Sequence, residues 1–281
     1  MKKLLLATVL AVALILVGCG GGAEELAAPQ ITSVVMGETT ITITWAEDSA
    51  IEDHADFAGY NIYVYTDSMP LLEESGEDLN KDNADPETGN TYTITGLDQD
   101  SAYYVQVRTV NTDDVVGSYN TSLPFVQASP RPEFTATVNF EIGAGPDADC
   151  AIRFSDAALL SDEQMADSSA DMWIDAWNSP NYDTVATASP SHNTQYGAGA
   201  NITAFENYGQ YGLDDVYEIE TEPTDTTSVA IAEGDLVVAK TQDDHYVKIH
   251  IDAIDRTNLE VTVTYAYQNI ENYPYFTPPK R

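Results

Sequence analysis

From residue 29 onward, short runs of β-branched and aromatic residues are separated by turn-forming Gly, Asn, Asp and Ser, and within each run apolar and polar positions alternate. A period of two predicts strands that bury one face, and many such strands in succession predict an all-β sandwich. Ile41, Ile43 and Trp45 alternate with Thr40, Thr42 and Thr44, which predicts a half-buried strand ending on a large ring. Further strands are predicted over 59–65, 91–94 and 102–110, where Tyr103, Val105 and Val107 share one face. Pro124, Pro130 and Pro132 end this region and predict a stiff linker.

A second region begins with a strand over 134–142, where Phe134, Ala136, Val138, Phe140 and Ile142 alternate. Ser161 and Gln164 have the spacing of a capping box, predicting a helical turn over 161–166. Residues 170–177 fit two periods, since Met172, Ile174 and Ala176 alternate while Trp173 and Trp177 are four apart; strand is favoured. A long Ser, Asn, Gly and Pro-rich loop is expected over 179–201. The last part, 235–241, 245–254 and 259–268, reads as an antiparallel meander joined by polar turns. On its middle strand Val247, Ile249, Ile251 and Ala253 face one way, and Tyr246, Lys248, His250 and Asp252 the other.

The amino terminus follows a different logic. Met1, Lys2 and Lys3 precede an apolar run over 4–17, then Gly18 and Cys19. This is the layout of an export signal, and the run is shorter than the roughly 20 apolar residues a spanning helix needs. Leu16, Val17, Gly18 and Cys19 resemble the lipobox of bacterial lipoproteins, which implies cleavage before Cys19 and lipidation of its thiol. Several acyl chains would anchor the chain stably. Gly20 is not the aspartate that in enteric-type sorting implies inner-membrane retention, so the resemblance implies an outer-membrane or cell-surface location. The expected organisation is a signal peptide over 1–18, a flexible tether over 19–28, a first domain over 29–131 and a β-rich second domain over 132–281. With Cys19 lipidated, Cys150 is the one other cysteine, so the chain is expected to fold without a disulfide.

Residues 29–131 resemble a fibronectin type III domain. The resemblance rests on Trp45, on the strand over 59–65, and on the corner formed by Leu97, Ser101, Tyr103, Val105 and Val107, with Gln99 where the family has proline. It implies that Trp45 and Leu97 are core residues and that Tyr103 packs its ring inside while its hydroxyl satisfies an upstream backbone group. No Arg-Gly-Asp sequence supports integrin-type adhesion.

In the second domain, Gly234 to Thr241, His245 to Ile249 and Val263 to Gln268 resemble the carboxy-terminal part of the HmuY-like surface lipoproteins, several of which bind haem. Haem ligation needs an exposed axial pair, usually His with His or Met, converging on one pocket. His245 and His250 are five apart on one strand and point to opposite faces, so the pairing to test is His192 with His250 or His245. Lys240 and Lys248 concentrate scarce positive charge near His250, where it could meet propionates or another anion. The simpler expectation for all of these is exposed polar side chains paired with nearby carboxylates.

Charge narrows the partners. Asp and Glu total 46 against 11 Lys and Arg, and such a chain repels polyphosphate, so no nucleic-acid partner is expected. Asp78, Asn80 and Asp82 supply oxygens at the alternate spacing of calcium loops, but Asn83 replaces the turn glycine and Gly89 stands where the bidentate glutamate belongs. Any calcium there would be weakly held, and a solvated acidic loop is favoured. No nucleophile elbow, zincin helix or Cys-x-x-Cys pair is present. The expected function is therefore non-catalytic: a lipid-anchored surface protein whose first domain spaces a ligand- or protein-binding β domain from the membrane. A haem-binding lipoprotein and a glycan-binding or glycan-processing protein are the alternatives.

Overall fold

The structure is a computed structural model and describes residues 26–276 apart from 74, 77, 143–147, 166–168 and 217. The export signal and Cys19 lie outside the described residues. The fold is all-β, a sandwich of two three-stranded sheets followed by two five-stranded antiparallel sheets.

The first domain has two three-stranded sheets. Strands β1 (Ile31–Met36), β2 (Ile41–Trp45) and β4 (Thr91–Ile94) form one; β3 (Phe57–Tyr65), β5 (Tyr103–Asn111) and β6 (Val126–Ala128) form the other. Alternation puts Val34, Ile41, Ile43 and Trp45 against Tyr60, Ile62, Val105, Val107 and Val126 in one apolar core. Thr42 and Thr44, on the outer face of β2, bond across to Thr93 and Thr91 of β4. A short helix α1 (Ser49–Glu52) is capped by Asp48, whose carboxylate accepts from the Ala50 N–H.

Between β3 and β4 the chain inserts a cap that starts with α2 (Met69–Glu73) and runs to Gly89. It folds over the outer face of β3 and β5, where Leu71 and Leu79 pack on Tyr63 in a second small core. It also closes the free edge of β3. The Asn83 amide accepts from the Ile62 N–H and donates to the Tyr60 carbonyl, and the Glu87 backbone pairs with Tyr60 in both directions. An open edge would invite another strand, and this one is sealed by a side chain acting as a peptide group. Gly59 (φ +146°) is required here, since a Cβ would stand 2.6 Å from the Glu87 carbonyl oxygen.

The second domain is a sandwich of two five-stranded sheets. One orders β12 (Ala204–Gln210), β14 (Asp235–Lys240), β15 (Tyr246–Asp255), β16 (Glu260–Tyr267) and β7 (Glu133–Asn139). The other orders β13 (Ser228–Ala230), β11 (Thr184–Ala188), β10 (Met172–Trp177), β8 (Ala151–Arg153) and β9 (Ala158–Leu160). Val138, Phe140, Met172, Ile174, Val247, Ile249, Ile251 and Tyr265 meet between them. A helical turn α3 (Asp162–Met165) lies at the predicted place, and Gln164 accepts from the Ser161 N–H as the capping spacing implied. Within the span expected as a loop, β11 forms and a 3-10 turn follows it at Pro190–His192. Ile142, expected inward with Phe140, is 39% exposed because β7 has already ended.

The segment expected as a linker is not one. Val126–Ala128 is the last strand of the first domain, and Ser129 and Arg131 are fully buried. The core of the first domain continues through Ile219, Val238, Tyr246, Ala266 and Phe276 of the second. Arg131 lies at the joint, its backbone N–H bonded to Gly37 and its guanidinium paired with Glu133 (2.9 Å) and Asp214 (3.0 Å). Lys248, also fully buried, donates to the carbonyls of Leu213 and Val216, and both cations lie over the Phe276 ring. Asn269 adds bonds to Gln99 and Asp100. The expectation that Lys248 faces an external anion is corrected: the far face of β15 is covered by the first domain and by Leu213, Val216 and Ile219.

Candidate functional site

At one end of the second domain a polar cleft of about 210 Å³ opens between the two sheets. Its floor is Asp171, which enters just before β10 and is only 9% exposed. The Asp171 carboxylate accepts from the Phe154 N–H (2.8 Å) and from the Asn201 amide (3.4 Å). Phe154 is fixed from its other side as well, since its carbonyl accepts from the Tyr265 hydroxyl (3.0 Å). The walls come from three other places: Ser155 and Arg153 at the β8–β9 turn, Thr241 and Asp243 at the β14–β15 turn, and Tyr267 at the end of β16. Ser169 completes the rim.

Burial raises the Asp171 carboxyl from its ordinary value to about 6, with the Asp243 charge adding to the rise; the two donated hydrogen bonds and Arg153 oppose it. The same burial, with the charges of Asp171 and Asp243, raises the Tyr267 hydroxyl, which stays protonated. Arg153 is held by a bidentate pair with Asp156 (2.9 and 2.7 Å). That pairing also holds the Asp156 carboxyl below the usual carboxylate range. The cleft therefore offers one buried carboxylate, one amide, three aliphatic hydroxyls and a phenol ring.

His245 backs this cleft from outside: its ring lies 5.2 Å from that of Tyr267 and its Nδ1 is 3.0 Å from the Gln268 carbonyl oxygen. His250 bonds Asp252 through Nδ1 at 2.7 Å on the β15 face directed toward the first domain. His192 sits in the 3-10 turn after β11, near the charges of Asp175 and Asp225. Asp175 follows the core residue Ile174 and so stands on the far face of the other sheet. The structure thus places His192 and His250 on opposite sides of the second sandwich and does not bring them together. Lys240 is paired with Glu222 (2.8 Å) and Asp244 (3.0 Å) and lies over the Tyr246 ring.

The residues at the calcium-like spacing each have a different partner. Asp78 accepts from the Ser75 hydroxyl, the Asn80 N–H goes to Tyr65, and Asp82 accepts from the Tyr92 hydroxyl. Among the described residues no group of three acidic, His or Cys side chains could hold a metal ion. Asn83, which fills the place of the turn glycine, is the residue that seals β3. Trp45 is 1% exposed and meets Tyr60 edge-on at 5.1 Å. Tyr103 accepts from the Asp98 N–H at 2.9 Å, with Leu97 packed against the same core. Cys150 is buried beside Leu160, Met165 and Trp173.

Sequence reasoning did not find Asp171. Its signal was an acidic residue opening an otherwise apolar strand, between Ala170 and Met172, where a structural aspartate would read the same.

No curated protein matches the sequence. Among solved structures, a DUF4466 family protein from Parabacteroides merdae is 12% identical with a TM-score of 0.36, over 86% of this chain and 99% of that one. An Fn3-like protein from Clostridium thermocellum is 22% identical with a TM-score of 0.26, over 39% and 95%. The FN5 domain of Drosophila Lar is 19% identical with a TM-score of 0.25, over 37% and 96%. The family description that matches is fibronectin type III domain, and residues 27–123 of this chain are such a domain.

Proposed function

We propose that the protein is a lipid-anchored, extracytoplasmic binding protein whose second domain holds a polyhydroxylated ligand, the end of a glycan, in the Asp171 cleft without making or breaking bonds. The observation that carries this reading is the convergence of Asp171, Asn201, Ser155, Ser169, Thr241 and Tyr267 on one open cleft. Sugar hydroxyls both donate and accept. An ionised carboxylate takes two hydroxyl donors, an amide serves either role, and an aromatic wall covers the apolar face of a ring. Small-ligand sites combine such a wall with a few fixed polar groups. The first domain, docked on the second through Arg131 and Phe276, would hold the cleft at a set angle to the membrane rather than on a swinging arm.

The test is glycan-array binding by the full chain at about pH 7.5, repeated with Asp171→Asn. Binding should weaken at least tenfold in the variant, roughly the value of one charge-assisted hydrogen bond. It should also weaken as pH falls below about 6, when the carboxyl takes up a proton. Absence of any retained glycan, or equal retention by the variant, would sink the reading. Release of a cleaved glycan would replace binding with catalysis. Intact-mass measurement of protein from the native cell checks the anchor, which requires loss of residues 1–18 and an acylated Cys19. Haemin, with His192 and His250 apart, is expected to leave the Soret band unshifted.

A further inference from the structure

The cap of the first domain encloses a second cavity, of about 430 Å³, between itself and the outer face of β3. This is within the range of small-ligand pockets. Its inner wall is Asn61 and Tyr63, and its apolar side is Leu79, Val110 and Val116. The Tyr63 hydroxyl donates to the Gly76 carbonyl (3.0 Å), so it can only accept from Asn61, whose amide nitrogen lies 3.3 Å away. That fixes the amide orientation and leaves Asn61 Oδ1 without a hydrogen-bond donor, on a residue 6% exposed. Buried acceptors without donors are rare and costly, and a ligand donor is one way to satisfy them.

Charge is arranged around the same cavity. Lys81 lines it, and so do Asp85 and Asp114. None of the three takes part in an ion pair among the described residues, whose other cations are buried or held by carboxylates and carbonyls. One cation, two carboxylates, an acceptor awaiting a donor and an apolar side together match a molecule carrying ammonium, carboxylate and an apolar group.

We propose that this cavity binds an apolar α-amino acid or a short apolar peptide as a zwitterion. The ammonium group meets Asn61 Oδ1 and the carboxylates of Asp85 and Asp114. The ligand carboxylate meets Lys81, and the side chain lies on Leu79, Val110 and Val116. The site is separate from the Asp171 cleft, and Asp171→Asn should leave it unchanged.

Calorimetry on the full chain in detergent tests this with L-leucine and L-leucyl-L-leucine, against leucinamide, which lacks the carboxylate, and 4-methylpentanoate, which lacks the ammonium. At least one zwitterion should bind with a dissociation constant of about 1 mM or tighter, and both controls should bind at least tenfold more weakly. Lys81→Gln, an exposed change that leaves the core intact, should weaken the zwitterion tenfold and leave leucinamide unaffected. Asn61→Leu should weaken the ammonium-bearing probes and spare 4-methylpentanoate, with far-ultraviolet circular dichroism confirming the fold. No heat from either zwitterion at ~10 mM, or equal binding of the controls, would overturn the proposal. So would a Lys81→Gln protein that binds as tightly as the parent.

Discussion

Strands β5 and β15 pose the same problem in the two domains and solve it with different covers. Each is central in its sheet, with one face in a sandwich core, and each carries a long cation on the other face: Arg108 on β5 and Lys248 on β15. Alternation reads that second face as exposed, yet both cations are buried. In each case a covering segment outside the sheet supplies backbone acceptors. Arg108 donates to the Leu71 carbonyl in the cap (3.1 Å), and Lys248 to the carbonyls of Leu213 and Val216. The cation acts as a tie that fastens covering backbone to a sheet. The difference lies in what is fastened: the cap belongs to the domain it covers and leaves a cavity, whereas the cover of β15 includes the other domain and is packed around Phe276.

That contrast can be broken from the strong side first. Lys248→Ala should cost about 3–5 kcal/mol, since it removes a large buried side chain and strands two carbonyls. Denaturant unfolding should show the loss, and proteolysis over 129–132 should speed up as the domains come apart. Arg108→Ala should cost less, about 2–3 kcal/mol, and its signature is local: faster cleavage within the cap, with hydrogen exchange of β14–β16 unchanged. Equal loosening of both domains by this variant would show that the covers are not independent.

Asp171 sharpens the contrast because it is a buried charge without an ion-pair partner among the described residues. Its folded carboxyl titrates at about 6 against an ordinary value near 3.8, so the folded state holds the proton more tightly than the unfolded chain. Stability on this account is greatest below about pH 4 and declines as pH rises through 6, reaching a cost of about 3 kcal/mol. Asp171→Asn should flatten that decline and stabilise the protein at about pH 7.5 by ~1–3 kcal/mol, read from denaturant midpoints at the two pH limits. Tyr103→Phe is the smallest change. It removes the acceptor for the Asp98 N–H at an exposed corner and should cost about 1 kcal/mol without altering either cover.

These ties explain what could be read beforehand. The strands with strong alternation, β2, β3, β5 and the β14–β16 meander, were legible because one face of each is apolar. β11 was not: its Thr-Val-Ala-Thr-Ala sequence is made of small residues buried on both faces, which leaves no amphipathic signature. The linker reading failed because proline and serine mark turns without reporting what covers them. For the sites, residue type misled and location decided. Lys248 looked ligand-facing and is a structural tie, and Asn83, read only as a break in the calcium-loop pattern, is another, whereas Asp171 and Asn61 draw their interest from burial, which depends on segments far away in the chain.

Drawing cations inward has an outward consequence. With Arg108, Arg131 and Lys248 sequestered and Arg153 and Lys240 neutralised by carboxylates, the solvent meets an almost wholly anionic shell. Two copies would repel one another once their surfaces come within the screening distance, about 8 Å at physiological salt. Added salt or divalent ions would shorten that distance, so how closely two copies approach becomes a readout of ionic strength.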